Sequence, residues 1–87
     1  MKPGALQVAG TGVDSAGQPV GGATVMWVQG PVALPDVALL TQPDGRFVLG
    51  APVVGHYTLG CRHDRHGQAT AAVAVEPQGA RVTIRLG

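Results

Sequence analysis

The chain has little of what most folds and most active sites are built from. Its 87 residues include one cysteine, one lysine, no asparagine and three aromatics, Trp27, Phe47 and Tyr57. A lone cysteine cannot close an internal disulfide, so no disulfide scaffold holds the fold. Charged residues make up 13% of the chain and hydrophobic ones 45%. That balance excludes a disordered, solvating polypeptide. Net charge is +1, and the arginines at 46, 62, 65, 81 and 85 form no run. No electrostatic footprint for nucleic acid or an anionic membrane is legible in that spacing. No apolar stretch approaches the roughly 20 residues that span a bilayer. The N-terminus meets Pro3 and Gly4 directly after Lys2 and lacks the apolar run of a secretory leader. No stretch of about 12 residues is free of Gly and Pro, which excludes a helical bundle.

What the chain does have is turns. The 14 Gly and 7 Pro residues are about a quarter of the sequence and divide it into seven short apolar segments. These run Leu6 to Val13, Ala23 to Gln29, Val37 to Gln42, Arg46 to Leu49, His56 to His63, Gln68 to Glu76 and Ala80 to Leu86. The last alternates most cleanly, with Val82, Ile84 and Leu86 against Arg81, Thr83 and Arg85. Asp14-Ser15-Ala16-Gly17, Pro43-Asp44-Gly45, Asp64-Arg65-His66-Gly67 and Pro77-Gln78-Gly79 read as tight turns. Gly10 and Gly12 predict a bulge or a close backbone approach. Short strands with regular turns predict one antiparallel β-sandwich domain over 1–87, with its core within about 6–86. Its predicted inward residues are Leu6, Val8, Val25, Trp27, Phe47, Leu49, Tyr57, Leu59, Cys61, Val73, Val75, Val82, Ile84 and Leu86.

The turns also carry an order. Gly12-Val13-Asp14 leads to Gly17-Gln18-Pro19-Val20 and Gly22-Ala23-Thr24-Val25. Thr41 and Asp44-Gly45-Arg46-Phe47-Val48-Leu49 follow, and then Gly55-His56-Tyr57-Thr58-Leu59. This series resembles the carboxypeptidase regulatory-like domain family over nearly the whole chain. The resemblance implies a seven-stranded, antiparallel Greek-key sandwich, Ig-like with transthyretin-like topology. In it Gly22-Ala23 lets the chain enter a strand closely, and Asp44-Gly45 makes a hairpin. It further implies a non-catalytic accessory module, of the kind attached to peptidases, outer-membrane receptors and surface proteins. The parent would be a larger bacterial surface, secreted or secretion-apparatus protein.

Groups with chemistry are few. Cys61, His63 and His66 lie close in sequence and are the weak candidates for a metal or a Cys/His enzyme. His66 falls beyond the turn that starts after His63, and Arg62 and Arg65 repel a cation. A solvated hairpin tip, with Cys61 as a small core residue, is the preferred reading. Ser15, Asp14, Asp44 and Asp64 sit in turns, where local hydrogen bonding explains them. Enzymes on similar sandwiches need residues this chain lacks, such as a second Tyr for an iron site or a terminal Tyr-Arg-Gly-Ser. No catalytic residue and no cofactor is assigned. The expected role is structural or interactive, with a protein partner or a neighbouring domain, no nucleic acid and no membrane insertion. Sheet edges offer a weak route to homo-oligomers. The candidate contact residues are Met26, Val28, Val32, Leu34, Val37 and Leu39, which are apolar and lie on or near the second and third segments. A carbohydrate or small-ligand module is the alternative, and it requires an exposed Trp27 or a formed pocket.

Overall fold

A computed structural model describes residues 6–34 and 38–86. In chain order the strands are β1 (Leu6–Val13), β2 (Thr24–Gln29), β3 (Ala38–Leu40), β4 (Arg46–Ala51), β5 (Gly55–His63), β6 (Gly67–Val75) and β7 (Ala80–Arg85). There is no helix among the described residues. The strands form two sheets, β4-β1-β7 and β3-β2-β5-β6. Period-two alternation gives each sheet one apolar face, and the two apolar faces close on one another. Val8, Leu49, Phe47 and Ile84 meet Val25, Tyr57, Leu59, Cys61 and Val73 across that interface, all buried.

Strand direction departs from the expected antiparallel pattern at one pair. β7 runs parallel to β1, in register from Val8 opposite Ala80 to Val13 opposite Arg85. Alternation reports which face a residue takes, but it carries no information about direction. Direction is set at the preceding crossover. The Glu76–Gly79 turn reverses the chain within four residues, with Gly79 N–H donating to Glu76 O at 2.8 Å. β7 therefore opposes β6 and lands beside β1 pointing the same way.

A second departure concerns Pro43-Asp44-Gly45. The turn forms as its residues dictate: Asp44 Oδ1 accepts from Arg46 N–H at 3.1 Å, and Gln42 O accepts from Gly45 N–H at 2.7 Å. It does not make a same-sheet hairpin, because β3 and β4 belong to different sheets. The true hairpin is β5-β6, closed at His63 opposite Gly67.

The core also differs at its margins. Leu6, Trp27 and Val82 are partly buried and pack against it, while Val20 and Ala51 join it. Val20 belongs to the link after β1, which doubles back so that Val20 N–H donates to Gly12 O at 2.9 Å. Trp27 sits at the rim because its indole N–H reaches across the sandwich to Gly50 O on β4, 3.1 Å away. A polar tip must keep a partner, and that partner lies at the sheet boundary. Gly22 adopts φ +73°, with nothing within 4 Å of a would-be Cβ. The close approach falls on its neighbour Gly21, where a Cβ would lie 2.9 Å from Gln42 O.

The link after β1 is organised by one carboxylate. Asp14 Oδ1 accepts from the N–H groups of Ala16 and Gln18, each at 2.9 Å. The Gln18 hydrogen bond, joined by that of Ala16 and the nearby His66, holds the Asp14 carboxyl below its ordinary pKa. A depressed folded-state pKa adds stability that is present above the unfolded pKa and is lost as pH falls through the folded one. Asp14→Ala is therefore expected to lower the urea midpoint at neutral pH. As the pH falls through the acid range the gap between the two proteins should narrow, because protonating the folded carboxyl removes that contribution. A gap that stayed constant over that range would show that the charge is irrelevant.

Candidate functional site

The Cys61, His63 and His66 group is divided by the fold. Cys61 lies mid-strand on β5, paired with Val25 and Ala69, and its thiol points into the core with 2% of the residue exposed. Burial pushes the thiol pKa up, which opposes the thiolate needed for nucleophilic attack or metal ligation. His63 and His66 do come together at the β5-β6 tip, with ring centroids 5.0 Å apart. Nδ1 of His63 accepts from Arg65 N–H at 3.1 Å, so one of its two ligating nitrogens is already engaged in the turn. Among the described residues no group of three or more His, Cys, Asp or Glu side chains is placed to hold a metal ion. No buried side-chain N or O lacks a partner among them.

Trp27 packs on Tyr57 with centroids 4.8 Å apart and rings tilted by 43°. With one face on Tyr57 and its N–H bound to Gly50, it is not a free stacking platform for a sugar.

The candidate contact residues fall into three groups. Met26 and Val28 are on the outer face of the four-stranded sheet, with Val28 55% exposed, and Val32 is exposed on the loop that follows β2. Leu34 and Leu39 turn inward instead and pack against the core. Leu39 is opposite Val25 in the ladder, and ladder partners share a face, so Leu39 must share the inner one. Val37 lies outside the described residues.

Leu40 takes the outward place that the sequence reading gave to Leu39. It is 63% exposed, opposite Thr24 and diagonal to Met26. Two adjacent apolar residues in a strand must divide between faces, and the division was open until the β2-β3 register was known. Beside them Gly60 is opposite Met26, and Val28 leans over it: a Cβ on Gly60 would lie 2.8 Å from Val28 Cγ2. The residue count slips between Trp27 and Gln29 in the β2-β5 ladder, and this irregularity carries Val28 across Gly60. Leu40, Met26 and Val28 thus make one continuous apolar strip. It opens onto a shallow depression of about 420 Å³ floored by Gly60 and bounded by Arg62 and Thr70.

No helix among the described residues is long and apolar enough to cross a membrane. A search of curated proteins finds no match. The family model for the carboxypeptidase regulatory-like domain matches residues 7–87, a family of generally non-catalytic, Ig-like modules that mediate protein interactions. With nearly its whole length inside that match, the chain belongs to the carboxypeptidase regulatory-like domain family.

Proposed function

We propose that this domain is a rigid accessory module that docks a protein partner or a neighbouring domain through the outer face of its four-stranded sheet. The strip of Leu40, Met26 and Val28 carries this reading. It is apolar, continuous and held on paired strands, whereas the groups with chemistry are buried or engaged in turns. Burying about three such side chains contributes several kcal/mol to a contact before the entropy of association is subtracted. A larger surface, secreted or secretion-apparatus protein is the setting that suits such a module. The strand orders β4-β1-β7 and β3-β2-β5-β6 support a Greek-key reading of transthyretin-like kind. The nine-residue edge strand β6, which carries no charged residue, is the one best suited to weak pairing between copies.

A photo-reactive residue placed at Val28, in the cells that make the protein, tests the reading. The expected result is a reproducible adduct with a single neighbouring domain or partner. It should be absent when the probe sits at Gln18 in the exposed turn, and lost on Leu40→Asp. Equal labelling from both positions, or labelling indifferent to Leu40→Asp, would sink it.

A further inference from the structure

The sequence disperses its arginines, but the fold gathers three of them, Arg46, Arg81 and Arg85, on the outer face of the three-stranded sheet. Arg46 is engaged locally, its Nε 3.5 Å from Asp44 Oδ2. Arg81 and Arg85 are exposed on β7 and have no carboxylate within salt-bridge distance among the described residues. The nearest acidic residue along the chain, Glu76, accepts from Gln78 Nε2 at 3.0 Å. The other outward positions of this sheet are Gln7, Ala9, Thr11, Val13, Val48, Gly50 and Thr83, and none of them is acidic.

β7 is also an edge strand. Leu86 N–H donates to Val13 O at 2.7 Å, so the backbone groups of the even-numbered residues face β1. By the period of two, the N–H and C=O groups of Arg81, Thr83 and Arg85 face the open edge. The same three residues therefore offer both the unpaired backbone ladder and the positive side chains. Two arginines four residues apart in a strand are separated by about 13 Å. Next to them, Ala9 and Gly10 floor a depression of about 690 Å³ walled by Arg46 and Arg81, which leaves room for carboxylate side chains.

We propose that the open edge of β7 accepts an extended acidic segment of a protein partner, added as a further antiparallel strand. Its carboxylates lie opposite Arg81 and Arg85, two positions either side of a residue facing Thr83. The residues facing Val82 and Ile84 are apolar and extend the inner face beside the half-buried Val82. Main-chain bonds give affinity and the paired charges give specificity and register. A second copy of this chain is a poor occupant, because antiparallel β7-β7 pairing sets Arg81 against Arg85 of the other copy. Nucleic acid is a poor one too, since no aromatic side chain lies on this face for bases to stack on. The surface is separate from the apolar strip on the four-stranded sheet, so either can fail without the other.

The test is an NMR titration of the 87-residue chain with a capped peptide containing Glu-Val-Thr-Val-Glu. A matched peptide with Lys for both Glu, and poly-glutamate, serve as comparisons. The acidic peptide is expected to shift the amides of 81–85 and to slow hydrogen exchange at Arg81, Thr83 and Arg85. It should bind at least about tenfold more tightly than the lysine peptide. Arg81→Glu with Arg85→Glu, both exposed and so compatible with folding, should invert that preference. Several results would overturn the proposal: no binding at millimolar peptide, equal binding of the two peptides, or shifts centred elsewhere. So would binding of poly-glutamate without amide protection, which means surface charge alone, or a dimer through β7.

Discussion

Gly10→Ala is expected to destabilise the domain by about 3 kcal/mol, the upper end of the usual cost of overpacking a core. Gly10 is opposite Phe47 in the β1-β4 ladder, and the Phe47 ring lies over its Cα. A Cβ there would stand 2.7 and 2.8 Å from Cε2 and Cε1 of that ring, well inside van der Waals contact. Neither side yields without cost. β1 is the central strand of its sheet, held by β4 on one side and β7 on the other. Phe47 is 3% exposed in a filled core, so the ring can move only toward solvent. A domain of this length has roughly 4–13 kcal/mol of stability in all. The loss is a large fraction of that total, and the Tm should fall by roughly 10 °C or more. Phe47→Leu, which shortens the side chain, should partly rescue it. The double variant is expected to be at least about 1 kcal/mol more stable than the two single losses added together. Urea midpoints of the four proteins measure this. Simple additivity would mean that the ring and the glycine do not interact.

The second large effect is expected at Thr41, the one buried polar residue among those described, 4% exposed. Its Oγ1 donates to Val20 O at 2.7 Å and accepts from Ala23 N–H at 3.0 Å. Its own N–H donates to Ala23 O at 2.8 Å. One hydroxyl thus closes the end of the sandwich where the chain passes from β1 to β2 and from β3 to β4. Thr41→Val keeps the shape and removes both side-chain bonds, leaving a buried carbonyl and a buried N–H unpaired. Each such orphan costs about 1–3 kcal/mol, so a loss of about 2–6 kcal/mol and a Tm lowered by roughly 10 °C or more are expected. Thr41→Ser, which keeps the hydroxyl, should lose only part of that. Amide exchange at Ala23 should quicken in Thr41→Val and not in Thr41→Ser. Equal losses in the two variants would assign the effect to packing of the methyl group instead.

These two sites mark how far the sequence could be read. Gly10 within an alternating apolar segment announced a close approach, although not that Phe47 is the group that approaches. Thr41 stood in the family's motif with no stated reason, and its role depends on contacts 18 and 21 residues away. Local chemistry was legible where it is self-contained. The Asp14 turn, the His63–Gly67 hairpin and the alternation of β7 all follow from their own residues. Relations between strands were not legible. The parallel direction of β7, the sheet change at Asp44-Gly45 and the exchange of Leu39 for Leu40 on the outer face each depend on pairing partners distant in sequence. The same holds for the candidate surfaces. An apolar strip and a basic edge are properties of register, and five scattered arginines look neutral until β7 is placed at the side of its sheet.

The parallel pairing of β1 with β7 has a mechanical consequence. The two strands lie side by side and point the same way, so Leu6 and Leu86 emerge at opposite ends of the three-stranded sheet. Tension applied to those ends draws β1 and β7 past one another along their length. Every hydrogen bond between them is then loaded together, in shear, instead of being opened one after another like a zip. A module strung between other domains would resist extension along that axis far better than it would resist peeling of β6 from β5, whose hairpin opens from its end. In this domain the strand whose direction departs from the expected pattern is also the one that sets the axis of greatest resistance to extension.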